Sequence, residues 1–100
     1  MILELKSFKM LRKERSSNGR QAVLDFGKYH LSIINDGYGS AEGLYEIGVF
    51  AATDGVASGL TELPGITAEG DSVRGRLTEA DVDAIIKKMY LLTGKTPRQV

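Results

Sequence analysis

Residues 22–33 constrain the fold more tightly than any other stretch of the chain. A two-residue turn at Gly27-Lys28 sets Phe26 against Tyr29, Leu24 against Leu31 and Ala22 against Ile33. All six are apolar and share one face. The opposite face pairs Asp25 with His30 and Val23 with Ser32. Sliding the register by one residue would send every side chain to the other side, so the sorting predicts a β-hairpin with a defined inner face. Glycine at the first turn position suits that geometry.

A sheet with one apolar face needs a cover, and the C-terminal third supplies it. Thr78 is placed as the N-cap of a helix, with Asp81 three residues on as a variant capping box. Glu79, Asp81 and Asp83 sit where the helix dipole favours anions, and Lys87 and Lys88 lie nearer its negative end. Val82, Ile85, Ile86 and Met89 recur at helical spacing, with Leu92 extending the stripe. Gly94 stops the helix and Pro97 prevents its restart.

The remaining segments read as strands and loops. Asn18-Gly19 is a preferred hairpin centre. A turn there puts Leu11 opposite Phe26, Arg12 opposite Asp25, Lys13 opposite Leu24 and Arg15 opposite Ala22, the last two laying their stems over the sheet margin. Residues 2–13 alternate with a phase break near Ser7, which favours a bulged strand over a helix. Residues 36–43 are a loop by composition. Tyr45, Ile47 and Val49 form a further strand. Residues 53–71, with four glycines and Pro64, read as loop with a short strand near Leu60–Leu63. Val73 to Leu77 gives a last strand feeding straight into the helix.

The expected architecture is α+β: an antiparallel β-meander of about four to five strands with one C-terminal helix packed on one face, the other face wet. It forms a single domain over residues 1–100. A basic N-terminal strand or hairpin arm covers 1–20, the meander 21–77 and the helix 78–93. A chain of 100 residues with 42% apolar content can bury a modest core. Without cysteine, no disulfide or thiolate–zinc framework can hold the fold. Charges at positions 4, 6 and 9 break up any signal-peptide core, and no apolar run approaches the ~20 residues that span a bilayer. A soluble, cytoplasmic protein without membrane association is expected.

Charge is divided along the chain beneath a net of zero, 13 basic against 13 acidic side chains. No lysine or arginine occurs between Lys28 and Arg74, while seven acids do: Asp36, Glu42, Glu46, Asp54, Glu62, Glu69 and Asp71. Residues 1–20 hold six basic against two acidic side chains, and residues 74–100 six against three. Clustered like charge is most useful when something outside complements it.

Candidate chemistry is sparse. His30 is the only histidine. The hairpin places it beside Asp25 on the solvent face, with Arg12 near, and no motif ties a nucleophile to it. Gly37-Tyr38-Gly39-Ser40-Ala41-Glu42-Gly43 resembles phosphate-cradling loops in composition. Those loops need a strand before and a helix after, whereas here a strand follows. Asp36, Asp54, Glu62, Glu69 and Asp71 lack the alternate spacing of a calcium loop. No catalytic residue, no metal and no cofactor is therefore expected.

Two surfaces remain. The acidic segment, with Tyr38 or Leu60 as anchor and Glu42, Glu46 and Glu62 as its charges, suits docking on a protein partner. The basic hairpin, with Arg12, Lys13, Arg15 and Arg20, could instead contact nucleic-acid phosphates. Small-ligand binding at the Gly37–Gly43 loop is a third reading. An exposed edge and an uncovered sheet face make a homodimer a further candidate.

Gly-Lys-Tyr-His-Leu-Ser-Ile at 27–33 and Gly-Leu-Tyr-Glu-Ile-Gly-Val-Phe at 43–50 resemble segments of small uncharacterised proteins encoded by tailed bacteriophages. So does Leu-Pro-Gly-Ile-Thr-Ala-Glu-Gly-Asp at 63–71, followed by the capped helix. The likeness runs from about Val23 to Gly94. It transfers no site residues. It implies a phage-encoded protein that acts by binding a host or phage protein, and so a non-enzymatic interaction domain.

Overall fold

The computed structural model describes residues 3–12 and 19–100, with the backbone alone at Arg12. Strands β1 (Leu11–Arg12), β2 (Arg20–Asp25), β3 (Tyr29–Ile34), β4 (Tyr45–Thr53), β5 (Val56–Leu60) and β6 (Val73–Leu77) precede helix α1 (Glu79–Thr93). A short strand β7 (Arg98–Gln99) follows. All pair antiparallel in one sheet. The centre is β2-β3-β4, and each edge is completed by two short strands: β1 and β7 both lie along β2, and β5 and β6 both lie along β4. The architecture is α+β, with the helix on one face of the sheet.

The central hairpin has the register that the apolar sorting requires. Ala22 opposes Ile33, Leu24 opposes Leu31 and Asp25 opposes His30. Gly27 takes φ +89°, the left-handed region where glycine is at ease. Leu24, Phe26, Leu31, Ile33, Ile47 and Val49 are fully buried beneath Val82, Ile85, Ile86 and Met89 of α1. Leu92 does not extend that stripe. It is 55% exposed, and Leu91 is 78% exposed. The helical turn after Met89 instead brings Thr93 round, whose hydroxyl donates to the Met89 carbonyl at 2.8 Å.

The helix begins as its sequence predicts. The Asp81 amide donates to Thr78 Oγ1 at 3.1 Å, and the Thr78 amide donates to Asp81 Oδ2 at 2.9 Å. The bond from the Thr78 amide, and secondarily the Thr78 side chain, holds the Asp81 carboxyl below its ordinary 3.8. A depressed carboxylate adds stability that is present above its unfolded value and lost as pH falls through that value to the folded one. Thr78→Ala removes the capping hydroxyl but keeps the amide, and the lost cap should cost about 1 kcal/mol at neutral pH. The substitution should flatten the acid limb of the stability profile only in part, because the bond from the Thr78 amide, the main cause of the depression, remains. Urea unfolding at pH 7 and pH 3 checks both.

Besides Leu92, four expectations are corrected. Within the described residues 3–12 the expected bulged strand is not formed, and only Leu11–Arg12 are strand. From residue 3 onward the segment holds a single 3₁₀ turn, Leu5–Ser7, because Leu3 and Leu5 turn into the core and the Leu5 amide donates to Asp83 Oδ1 on α1. The second correction concerns the first hairpin. Leu11 opposes Gln21 and Arg12 opposes Arg20, so Leu11 does not face Phe26 nor Arg12 Asp25, while the turn expected at Asn18-Gly19 begins outside the described residues. The places opposite Leu24 and Asp25 belong to Gln99 and Arg98 of β7. The proposed partners Lys13 and Arg15 lie outside the described residues. Third, the strand expected near Leu60–Leu63 lies at Val56–Leu60 instead. It folds back on β4 through Asp54-Gly55, both at positive φ, 52° and 80°.

The fourth correction is to the wet face. Its centre is dry: His30, Ser32 and Ile34 are all buried. They project from the middle strand, so neighbours on both sides close over them. Gln21 Nε2 donates to Ser32 Oγ at 2.7 Å. A Cβ on Gly48 would meet Val73 Cγ1 at 3.4 Å and Leu60 Cδ2 at 3.7 Å.

Candidate interaction site

The loop between β3 and β4 is built to present Tyr38. The Tyr38 amide donates to Glu46 Oε2 at 3.3 Å, and its carbonyl accepts the Arg76 amide of β6 at 3.1 Å. Arg76 reaches that position with φ +56°, at an irregularity where β6 carries an extra residue against β4. Beside it, Gly75 leaves room: a Cβ there would lie 2.5 Å from Tyr38 Cβ. The loop closes on itself through a 3₁₀ turn, Ser40–Glu42. The amides of Ser40, Glu42, Gly43 and Leu44 all donate to loop carbonyls. Those donors are therefore spent internally, and what the loop offers outward is the Tyr38 ring, 70% exposed.

The acids expected to share this surface divide into two places. Glu42 and Glu46 lie with Tyr38. Glu42 faces Arg76 Nη1 at 3.4 Å between two exposed side chains, a contact worth little in water. Glu62 sits beyond β5, where its Oε2 accepts the Gly70 amide and closes the 62–70 loop. Leu60 lies between them, 56% exposed, on the rim of a shallow hollow of about 170 Å³. Ser32, Ile34, Glu46, Ile47, Gly48, Phe50 and Val73 complete the lining.

The charge division along the chain is softened in space. Strand β6 brings Arg74 and Arg76 alongside β4, with Arg74 opposite Ile47. Lys88 of α1 donates to the Gly65 carbonyl at 2.9 Å, inside the acid-rich segment. Gly75 and Arg76 were absent from the candidate residues. The alternation Val-Arg-Gly-Arg-Leu reads as regular strand and conceals both the extra residue and its partner loop.

His30 stands beside Asp25 as its register requires, but it is 4% exposed rather than at the solvent face. Its Nε2 lies 3.6 Å from Asp25 Oδ1 and makes no hydrogen bond. Asp25 Oδ1 accepts the Gly27 amide at 2.7 Å, and Oδ2 faces Arg98 Nη2 at 3.7 Å. The cation facing this pair is Arg98, and the strand position of Arg12 is opposite Arg20 rather than Asp25. The cluster ties β2, β3 and β7 together. The neighbouring hydroxyl, Ser32, is occupied by Gln21, so no activated nucleophile stands beside the imidazole.

On the basic arm, Arg20 is anchored through its amide to Asn35 Oδ1 at 2.7 Å, with its side chain outward. Arg12 takes the directly opposing strand position. Among the described residues no three His, Asp or Glu side chains converge as metal ligands, and no helix is long and apolar enough to cross a membrane. No family model matches the chain, and neither a curated protein nor a solved structure is detectably similar to it.

Proposed function

We propose that this chain is a non-enzymatic interaction domain, phage-encoded and cytoplasmic, that binds another protein through the surface carrying Tyr38. The observation behind this reading is the cost of displaying that ring. A positive-φ arginine and a glycine that must lack a Cβ both serve to hold an aromatic side chain in water. Exposed tyrosine on a rigid backbone is the kind of residue that anchors protein interfaces, because it buries much area and loses little entropy. Glu42 and Glu46 beside it favour a partner with basic residues around an apolar socket.

Capture from a host lysate tests the proposal. Tyr38→Ala should reduce recovery of the partner by about thirtyfold, the scale of an interface anchor. Glu42→Lys should weaken capture further and change its salt dependence. The Tyr38→Ala protein should unfold at the parental temperature, since an exposed ring contributes little to packing. Undiminished capture of every partner by the double variant rejects the surface.

A nucleic-acid reading draws on one specific observation: Arg12 and Arg20 hold directly opposed strand positions. Like charges so placed repel unless an anion lies over them. Binding to DNA or RNA that falls steeply with salt, and that is lost on neutralising Arg12, Lys13, Arg15 and Arg20, would favour it.

A further inference from the structure

Strand β5 pairs with β4 on one side, and among the described residues nothing pairs with its other edge. Such an edge turns alternate N–H and C=O groups outward, and folded proteins usually guard it with lysine, proline or inward charge. Among the described residues no lysine, proline or inward charge guards this edge, and its one protective feature is a bulge at Ser58. From Gly55 to Thr61 the sequence carries no charge and no proline. Every residue of β5 is exposed, Val56 at 68% and Leu60 at 56%. At the bulge the register shifts between Ala51 and Ala52 of β4, Ser58 Oγ donates to the Ala51 carbonyl at 3.2 Å, and Gly59 takes φ +153°.

The two ends of this edge are both acidic: Asp54 stands at its start and Glu62 just past its end. That pattern discriminates between occupants. A second copy adding through the same strand would set acid against acid in either direction, Asp54 on Glu62 when antiparallel, or each on itself when parallel. Like charges directly opposed across strands are destabilising. An extended segment with a basic residue at each end meets opposite charge at both. Leu60, continuous with the hollow over Gly48, offers one of its alternate side chains an apolar seat.

We infer that β5 is a docking edge for strand addition by an extended partner segment with small or β-branched residues between two basic ends. In such recognition the main-chain bonds hold the segment and the side chains select it. Asp54 and Glu62 are eight positions apart, at most about 26 Å in extended backbone, which sets the separation of the basic residues. The inference shares with the Tyr38 proposal only that the partner is a polypeptide, and it uses a different surface.

The test uses the full chain and the peptide acetyl-Lys-Val-Thr-Val-Thr-Val-Thr-Val-Lys-amide, followed by backbone amide exchange and chemical-shift titration. Slowed exchange confined to residues 56–60 is expected, with affinity about tenfold above that of the same peptide ending in glutamates. Methylating alternate peptide nitrogens should abolish binding. The variant carrying Asp54→Asn and Glu62→Gln should bind the two peptides within about twofold of each other. Tyr38→Ala should leave these results unchanged, so failure here and failure of the Tyr38 surface are separately visible. No protection at residues 56–60, equal binding of both peptides to the parent chain, or concentration-dependent protection of β5 without peptide would each overturn the inference.

Discussion

Gly75→Val is expected to dislodge the Tyr38 loop while leaving the core standing. Even the first carbon of the new side chain would fall 2.5 Å from Tyr38 Cβ, far inside contact distance. The obstacle is the root of a side chain fixed to a loop, not a flexible tip, so β6 and the loop must separate. Separation breaks the bond from the Arg76 amide to the Tyr38 carbonyl and the Glu42 contact with it. Overpacking of this kind costs about 2 kcal/mol. Amide exchange should quicken at Arg76 and through residues 38–44, and stay slow in β2 and β3. The same variant should lose partner capture as fully as Tyr38→Ala. Retained capture with a displaced loop would mean that the ring is not the anchor.

Leu31→Ala carries the largest expected effect on stability. Leu31 is fully buried on the middle strand, opposite Leu24 on one side and Val49 on the other. Helix α1 closes the same core above it. Removing such a side chain from a site walled by β-sheet costs about 3 kcal/mol, because backbone pairing on both flanks prevents collapse into the gap. For a chain of this size that is a drop of about 15 °C in melting temperature. Calorimetry would measure it. A loss under about 1 kcal/mol would mean that the sheet and helix are not packed as described.

Much of this architecture was legible in the sequence where a repeating pattern had room to show itself. Residues 22–33 give five positions on each arm of a hairpin, and only one register sorts them. The helix offers a stripe of four buried residues and a capping box. Strands β1 and β7 are two residues each, too short for any period, and the alternation of β2 cannot say which chain lies beside it. That is why Arg98, rather than Arg12, came to stand against Asp25. The β5 turn was available in Asp54-Gly55 but was masked by the surrounding glycines. Burial of His30 follows from its place on the middle strand, which depends on the order of all the others. Of the candidate acids, Glu46 and Glu62 proved to brace loops as well as carry charge, because a carboxylate near free amides binds them. Counting charges along the chain could not foresee that β6 would return Arg74 and Arg76 to the acidic stretch.

The sharing of β2 between two strands from far-apart regions has a consequence for how the molecule is made. Half of that border is finished by residues near the start, the other half only by Arg98 and Gln99. While the chain is being synthesised, the backbone groups of Val23 and Asp25 that face β7 must wait until residues 98–100 have been made. Closure of that flank consequently comes late, after β1 to α1 have all been made, and a product stalled before residue 98 would leave the flank open.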